Sequence, residues 1–126
     1  MKPVTSILVI ESNRRAREDL LGVLPETVDA IGAEDIVDAE ECMDEAGPFD
    51  TFVVQGAMQD GKSPGDIRVT LSFLRHLSAT QPSAKVFVLS NMFDHGPTVG
   101  QYETAFVGCV VLNKESVLNG ATVLPI

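Results

Sequence analysis

The chain has no tryptophan, one tyrosine, two cysteines and two histidines in 126 residues. Cys42 and Cys109 stand far apart and show none of the close spacing of a metal or redox motif, so they read as two buried, reduced thiols. His76 and His95 have no serine or cysteine beside them in a nucleophile arrangement and read as surface histidines. Basic residues are also scarce: nine Lys and Arg face 18 Asp and Glu, a formal net charge of −9. A nucleic-acid backbone is held by cations, so that class of partner is excluded. No run approaches the roughly 18 to 20 apolar residues that a membrane span requires. The start, Met1-Lys2-Pro3, runs directly into an apolar strand with no signal-peptide pattern, which points to a cytoplasmic protein without a membrane role.

Apolar residues make up 44% of the chain, enough for a real core, and the length fits one domain spanning 1–126. Strand-length apolar runs alternate with segments of helical period, the pattern of a parallel sheet covered by helices. Ser6–Ile10 is continuous and apolar, as expected of a strand buried on both faces. Asn13 is an expected N-cap for a helix from Arg14 to about Leu24, which Pro25 stops. Thr27–Ile31 reads as a short second strand, and a second helix is predicted from about Glu34 to Ala46. Its stripe is Ile36, Ala39, Met43 and Ala46, while Asp38, Glu41, Asp44 and Glu45 form a solvated face. Thr51–Gln55 is the third strand and a Gly/Pro-rich loop runs from Gly56 to Asp66. The third helix covers Ile67–Thr80, with Ile67, Leu71, Leu74 and Leu77 at helical spacing. Lys85–Ser90 is the fourth strand, and Gly96–Gly108 a weaker helix anchored by Val99, Tyr102 and Phe106. Cys109–Leu112 is the fifth strand. The remainder, Lys114–Ile126, contains Asn119-Gly120 and leaves room for a last helix of about two turns.

Strand ends carry the residues with chemistry, where doubly wound sheets place their sites. Glu11-Ser12 follow the first strand, Gln55 ends the third, Ser90-Asn91 end the fourth, and Asn113-Lys114-Glu115 follow the fifth. The element order and these positions resemble the receiver domain of bacterial two-component response regulators, over nearly the whole chain. The resemblance implies a doubly wound, five-stranded parallel α/β sheet of the receiver/flavodoxin type, in a single domain with a short last helix. In that family an acidic pair, a phosphoacceptor aspartate, a Thr or Ser and a Lys bind a divalent metal and carry an acyl phosphate. By that resemblance Glu11, Ser12, Gln55, Ser90 and Lys114 occupy degenerate phosphorylation-site positions, in a pseudo-receiver.

Gln55 decides most of the reading, because phosphoryl acceptance needs a carboxylate oxygen and an amide is a very poor nucleophile at neutral pH. Magnesium prefers hard anionic oxygens, and only Glu11 remains of three acidic ligands, with Asp60 in the following loop a remote substitute. Gln55 is expected to hydrogen-bond Lys114 and loop amides. The family's aromatic switch position corresponds to Val111, whose β-branched side chain does not swing as a ring does. No catalytic residue, metal or cofactor is therefore expected. Flavin is disfavoured by the lack of a Ser/Thr/Gly phosphate loop after the first strand and of aromatic residues to sandwich a ring. Gln59-Asp60-Gly61-Lys62-Ser63 lacks the first glycine of a phosphate loop.

The expected function is a non-enzymatic, phosphorylation-independent interaction or regulatory module, whose partner is another protein or a second copy. The alternative is an atypical signalling switch answering to a metal, a small ligand or unconventional phosphorylation. A short last helix leaves apolar surface to be covered by a partner or by the chain's own tail. The expected interaction surface comprises Tyr102, Val111 and Leu124, the last within a tail ending Leu124-Pro125-Ile126.

Overall fold

The computed structural model describes residues 5–58, 66–90 and 96–124. Strands β1 (Ser6–Ile10), β2 (Asp29–Ala33), β3 (Thr51–Gln55), β4 (Lys85–Ser90) and β5 (Val110–Asn113) alternate with helices. The helices are α1 (Arg14–Val23), α2 (Ile36–Ala46), α3 (Ile67–Thr80), α4 (Gly96–Ala105) and α5 (Lys114–Leu118). All strand pairs are parallel, in the order β2-β1-β3-β4-β5. This is the predicted receiver-type α/β sheet with a short last helix.

Alternation along each strand divides the core into two layers. Leu8, Ile10, Phe52, Val54, Val86 and Val88 face α2, α3 and α4, meeting Ala39, Leu71, Leu74, Leu77, Tyr102, Ala105 and Phe106. Phe52 packs edge-on against both Phe49 and Phe73, at centroid distances of 6.3 and 6.2 Å. Ile7, Val9, Val53, Phe87 and Leu89 point the other way, onto Leu20 of α1, Val117 of α5 and Leu124 of the tail. Burying a strand on both faces is what removes polar alternation from its sequence. It is also why the boundaries of β1, β3 and β4 match the expected ones.

Boundaries near turns differ from the sequence reading. β2 runs Asp29–Ala33, two residues later than Thr27–Ile31, because it pairs with all of β1, Ser6 opposite Asp29 through Ile10 opposite Ala33. The Val28 amide instead closes a turn onto the Pro25 carbonyl at 3.2 Å. α2 starts at Ile36 because Asp35 caps it, its carboxylate accepting from the Asp38 amide at 2.8 Å. Asp38 returns a bond from the Glu34 amide at 3.1 Å, a reciprocal capping arrangement, so this acid serves the helix end as well as the solvent. α4 stops at Ala105, and Gly108 adopts φ +93° to turn the chain into β5, which begins at Val110 in place of Cys109. α5 has five residues, shorter than two turns. Its N-cap is Asn113, which accepts from the Ser116 amide at 3.1 Å.

Candidate functional site

In the order β2-β1-β3, the chain leaves β1 in opposite directions, which opens a crevice at the carboxyl ends of β1 and β3. Glu11 is the first residue beyond β1. Its amide extends the ladder to the Ala33 carbonyl at 2.9 Å, and its own carbonyl accepts from Arg17 Nη1 at 2.8 Å. These bonds hold the side chain inward, 1% exposed, where Oε1 forms an ion pair with Lys114 Nζ. The pair ties the end of β1 to the first residue of α5. The other oxygen, Oε2, is buried without a hydrogen-bond partner among the described residues.

Gln55 closes the opposite side of the crevice. Its Oε1 accepts from the Ser12 amide at 2.6 Å, while its Nε2 donates to Ser12 Oγ at 3.2 Å and to the Ala57 carbonyl at 3.1 Å. The expected bond to Lys114 is corrected: Lys114 goes to Glu11, since a buried carboxylate attracts a cation far more strongly than a neutral amide does. Both ends of the amide are therefore engaged, and the clamp joins the β1–α1 turn to β3. A carboxylate there would have no N–H to give Ser12 Oγ or Ala57, and it would bring a second negative charge to Glu11.

Two contributors escaped the sequence reading. Thr70, fully buried in α3, donates to the Gln55 carbonyl at 3.1 Å and accepts from the Met58 amide at 2.8 Å, fixing the chain after β3. A polar residue within an apolar helical stripe was the available signal. Tyr102 enters from α4: its hydroxyl donates to the Gly56 carbonyl at 2.6 Å, with the Ser90 hydroxyl as second partner. Burial pushes this phenol above its ordinary range, and the Ser90 bond opposes that shift. At the entry to α3, Asp66 accepts from the Arg68 amide and guanidinium, both at 2.8 Å, and these bonds hold its carboxyl below the usual range.

All five expected strand-end positions converge. Gln55, Ser90 and Lys114 line one cavity of about 160 Å³ with Gly56, Ala57, Ile67, Leu89 and Tyr102, while Ser12 is clamped to Gln55 and Glu11 is paired with Lys114. That volume is well below the roughly 300 to 1,000 Å³ of sites for drug-sized ligands. Divalent magnesium does not fit this donor set. Its one carboxylate is already neutralised by Lys114, and no group of three His, Cys, Asp or Glu gathers anywhere among the described residues. Asp60, the loop motif at 59–63, Asn91, His95 and the last two residues lie outside the described residues.

The expected interaction surface is corrected at two of its three positions. Tyr102 is 2% exposed because its hydroxyl is satisfied inside the cavity. Leu124 is 9% exposed: the tail turns back, with the Thr122 amide on the Ser116 carbonyl at 2.9 Å, and Leu124 fills the layer over β4. Val111 is half-buried against the α4 side. Among the described residues, the large apolar side chains that face solvent in this part are Val107, Val110 and Val123.

No family model and no curated protein matches the sequence. Solved structures do match its fold. The RcsB response regulator of Salmonella typhimurium superposes with a TM-score of 0.74 at 11% identity, over 95% of this chain and 57% of that one. This chain thus spans little more than half of that regulator's length. A CheY-like receiver domain protein from Methanospirillum hungatei gives 0.70 at 11% identity, covering 94% and 91%. A Burkholderia pseudomallei response regulator, solved with a phosphorylated aspartic acid, a calcium ion and citrate, gives 0.67 at 21% identity, covering 94% and 66%. The fold is therefore the CheY-like receiver fold. Among the described residues, no helix is long and apolar enough to cross a membrane.

Proposed function

We propose that this chain is a pseudo-receiver: a receiver-fold regulatory module that acts through protein contacts and performs no phosphoryl transfer or other catalysis. The observation that carries the proposal is the Gln55 clamp at the end of β3. An amide bonded at both its oxygen and its nitrogen offers no nucleophile, and its neighbours offer no metal cage. The inter-element bonds made by Gln55, Lys114 and Tyr102 hold the crevice in one arrangement without any ligand. The chain's partners are then proteins or a second copy of itself, met on surfaces that do not wait for phosphorylation.

The test incubates the protein with a small phosphodonor and magnesium, then records its intact mass and its binding partners before and after. An unshifted mass and an unchanged partner set are expected. A phosphoryl adduct on an acidic residue, or partners captured only after donor treatment, would refute the proposal. A second reading, a switch answering to a small ligand, draws on the unpartnered Oε2 of Glu11, whose ion-pair partner Lys114 lines a small cavity. It requires a small molecule that raises the melting temperature of the wild type but not of Glu11→Gln.

A further inference from the structure

We propose that Tyr102 is a fixed strut that sets the position of α4 from the strand-end cavity, with Gly56 as its seat. This rests on the phosphorylation-independent reading above and supplies the way such a module presents one surface constitutively.

α4 is poorly equipped to hold itself in place. Its sequence includes Gly96, Pro97 and Gly100, and a side chain built on Gly100 would meet nothing within 4 Å. Tyr102, Ala105 and Phe106 anchor its inner face, but only Tyr102 also reaches the site. The ring crosses to the end of β3, where its hydroxyl bonds the Gly56 carbonyl at 2.6 Å. The seat is anchored on its strand side, because the Gly56 amide continues the sheet onto Leu89 at 2.9 Å. A Cβ at position 56 would stand 2.7 Å from the Tyr102 hydroxyl and 3.0 Å from Ser90 Oγ, so a larger residue there must push the ring or the Ser90 side chain aside.

Withdrawing the ring would strip the Gly56 carbonyl of its donor and take the Ser90 hydroxyl from its partner. The half-buried Val111 on β5 has no ring to substitute. The strut therefore holds α4 in one register whatever the chemical state of the strand ends. The device is permanent, not a switch.

Hydrogen exchange read by mass spectrometry on Tyr102→Phe tests this directly. The variant keeps the ring and loses only the hydroxyl, so the fold survives. Amides of 56–58 and of α4 and β5 should exchange about tenfold faster, while those of α1 and β1 change only as far as the global stability from urea melts dictates. Gly56→Ala attacks the same contact from its other side and should reproduce the local pattern. It has a second readout, because Tyr102 is the sole tyrosine in a chain without tryptophan. Acrylamide should quench the wild-type fluorescence poorly and that of Gly56→Ala readily. Unchanged exchange in α4, a uniform rise in every helix, or a wild-type ring quenched like free tyrosine each overturns the strut. None of these measurements involves phosphate or a partner. A phosphoryl adduct found with the strut intact would sink the functional proposal alone.

Discussion

Lys114→Met should be among the most damaging single substitutions outside the apolar core. The Glu11 side chain is 1% exposed and its partner Lys114 17% exposed, so removing the lysine leaves a buried carboxylate with no compensating cation. Breaking a buried pair from one side typically costs about 3 to 5 kcal/mol. Unfolding entropy runs near 2.1 cal/mol/K per residue, which over 126 residues translates the loss into a melting-temperature drop of roughly 10 to 20 °C. The pair is asymmetric, and this sharpens the test. Lys114 sits nearer solvent and its long stem can carry the ammonium outward, so Glu11→Gln should cost roughly half as much or less. The double variant Glu11→Gln/Lys114→Met, neutral on both sides, should fall within about 1 kcal/mol of wild type. Arg14→Ala is the control, since its ion pair with Glu18 is 84% and 62% exposed and is worth about 0.5 kcal/mol or less. Urea melts of the four variants measure each value. If Lys114→Met costs no more than Arg14→Ala, the account of a buried pair bridging β1 and α5 is wrong.

Two further predictions follow the same physics. Ser12→Asp with Gln55→Asp removes the amide clamp and sets three carboxylates around Lys114, so the apo variant should melt lower than wild type. Magnesium at about a hundred times its dissociation constant should then return about 2.7 kcal/mol. A double variant that folds yet ignores magnesium in thermal melts would show that these strand ends do not form one site. Burial pushes the Cys109 thiol from 9.0 up to about 11, with Glu103 adding to the shift. The folded state therefore keeps a proton that the unfolded chain releases. Stability from this group is complete below pH 9 and declines as the pH rises toward 11, by up to about 2 to 3 kcal/mol. Cys109→Ala should flatten that part of the stability profile; an identical alkaline slope in the variant would refute the assignment.

Local rules made much of the fold legible. β1, β3 and β4 are strands with both faces buried, so their sequences are unbroken apolar runs between polar turns, and their ends coincide with the change in composition. α3 could be delimited from its apolar spacing alone, and Asn13 was recognisable as a cap because capping is chemistry within four residues. The five strand-end positions were identifiable through the resemblance to receiver domains, and they meet because a parallel sheet brings carboxyl ends of strands together however far apart they lie in the chain.

What the sequence alone determined was therefore the element order, the apolar stripes of the helices, and the absence of a carboxylate at position 55. Only the tertiary structure decided which polar groups meet. Glu11 and Lys114 pair across the sheet because the β1 ladder turns that carboxylate inward, while Gln55 is left to Ser12. Tyr102 reads from the sequence as an anchor of a weak helix and also as part of an interaction surface, and it is buried because the opening that receives it is formed by Gly56 after β3 and Ser90 at the end of β4. For Leu124 the sequence leaves cover by a partner and a folded-back tail both open, and a five-residue α5 leaves the sheet layer beside Val117 for it to fill. In each case the deciding partner is distant in sequence. Periodicity and capping report on neighbours along the chain, whereas burial and hydrogen bonding across the sheet depend on contacts that exist only once it is folded.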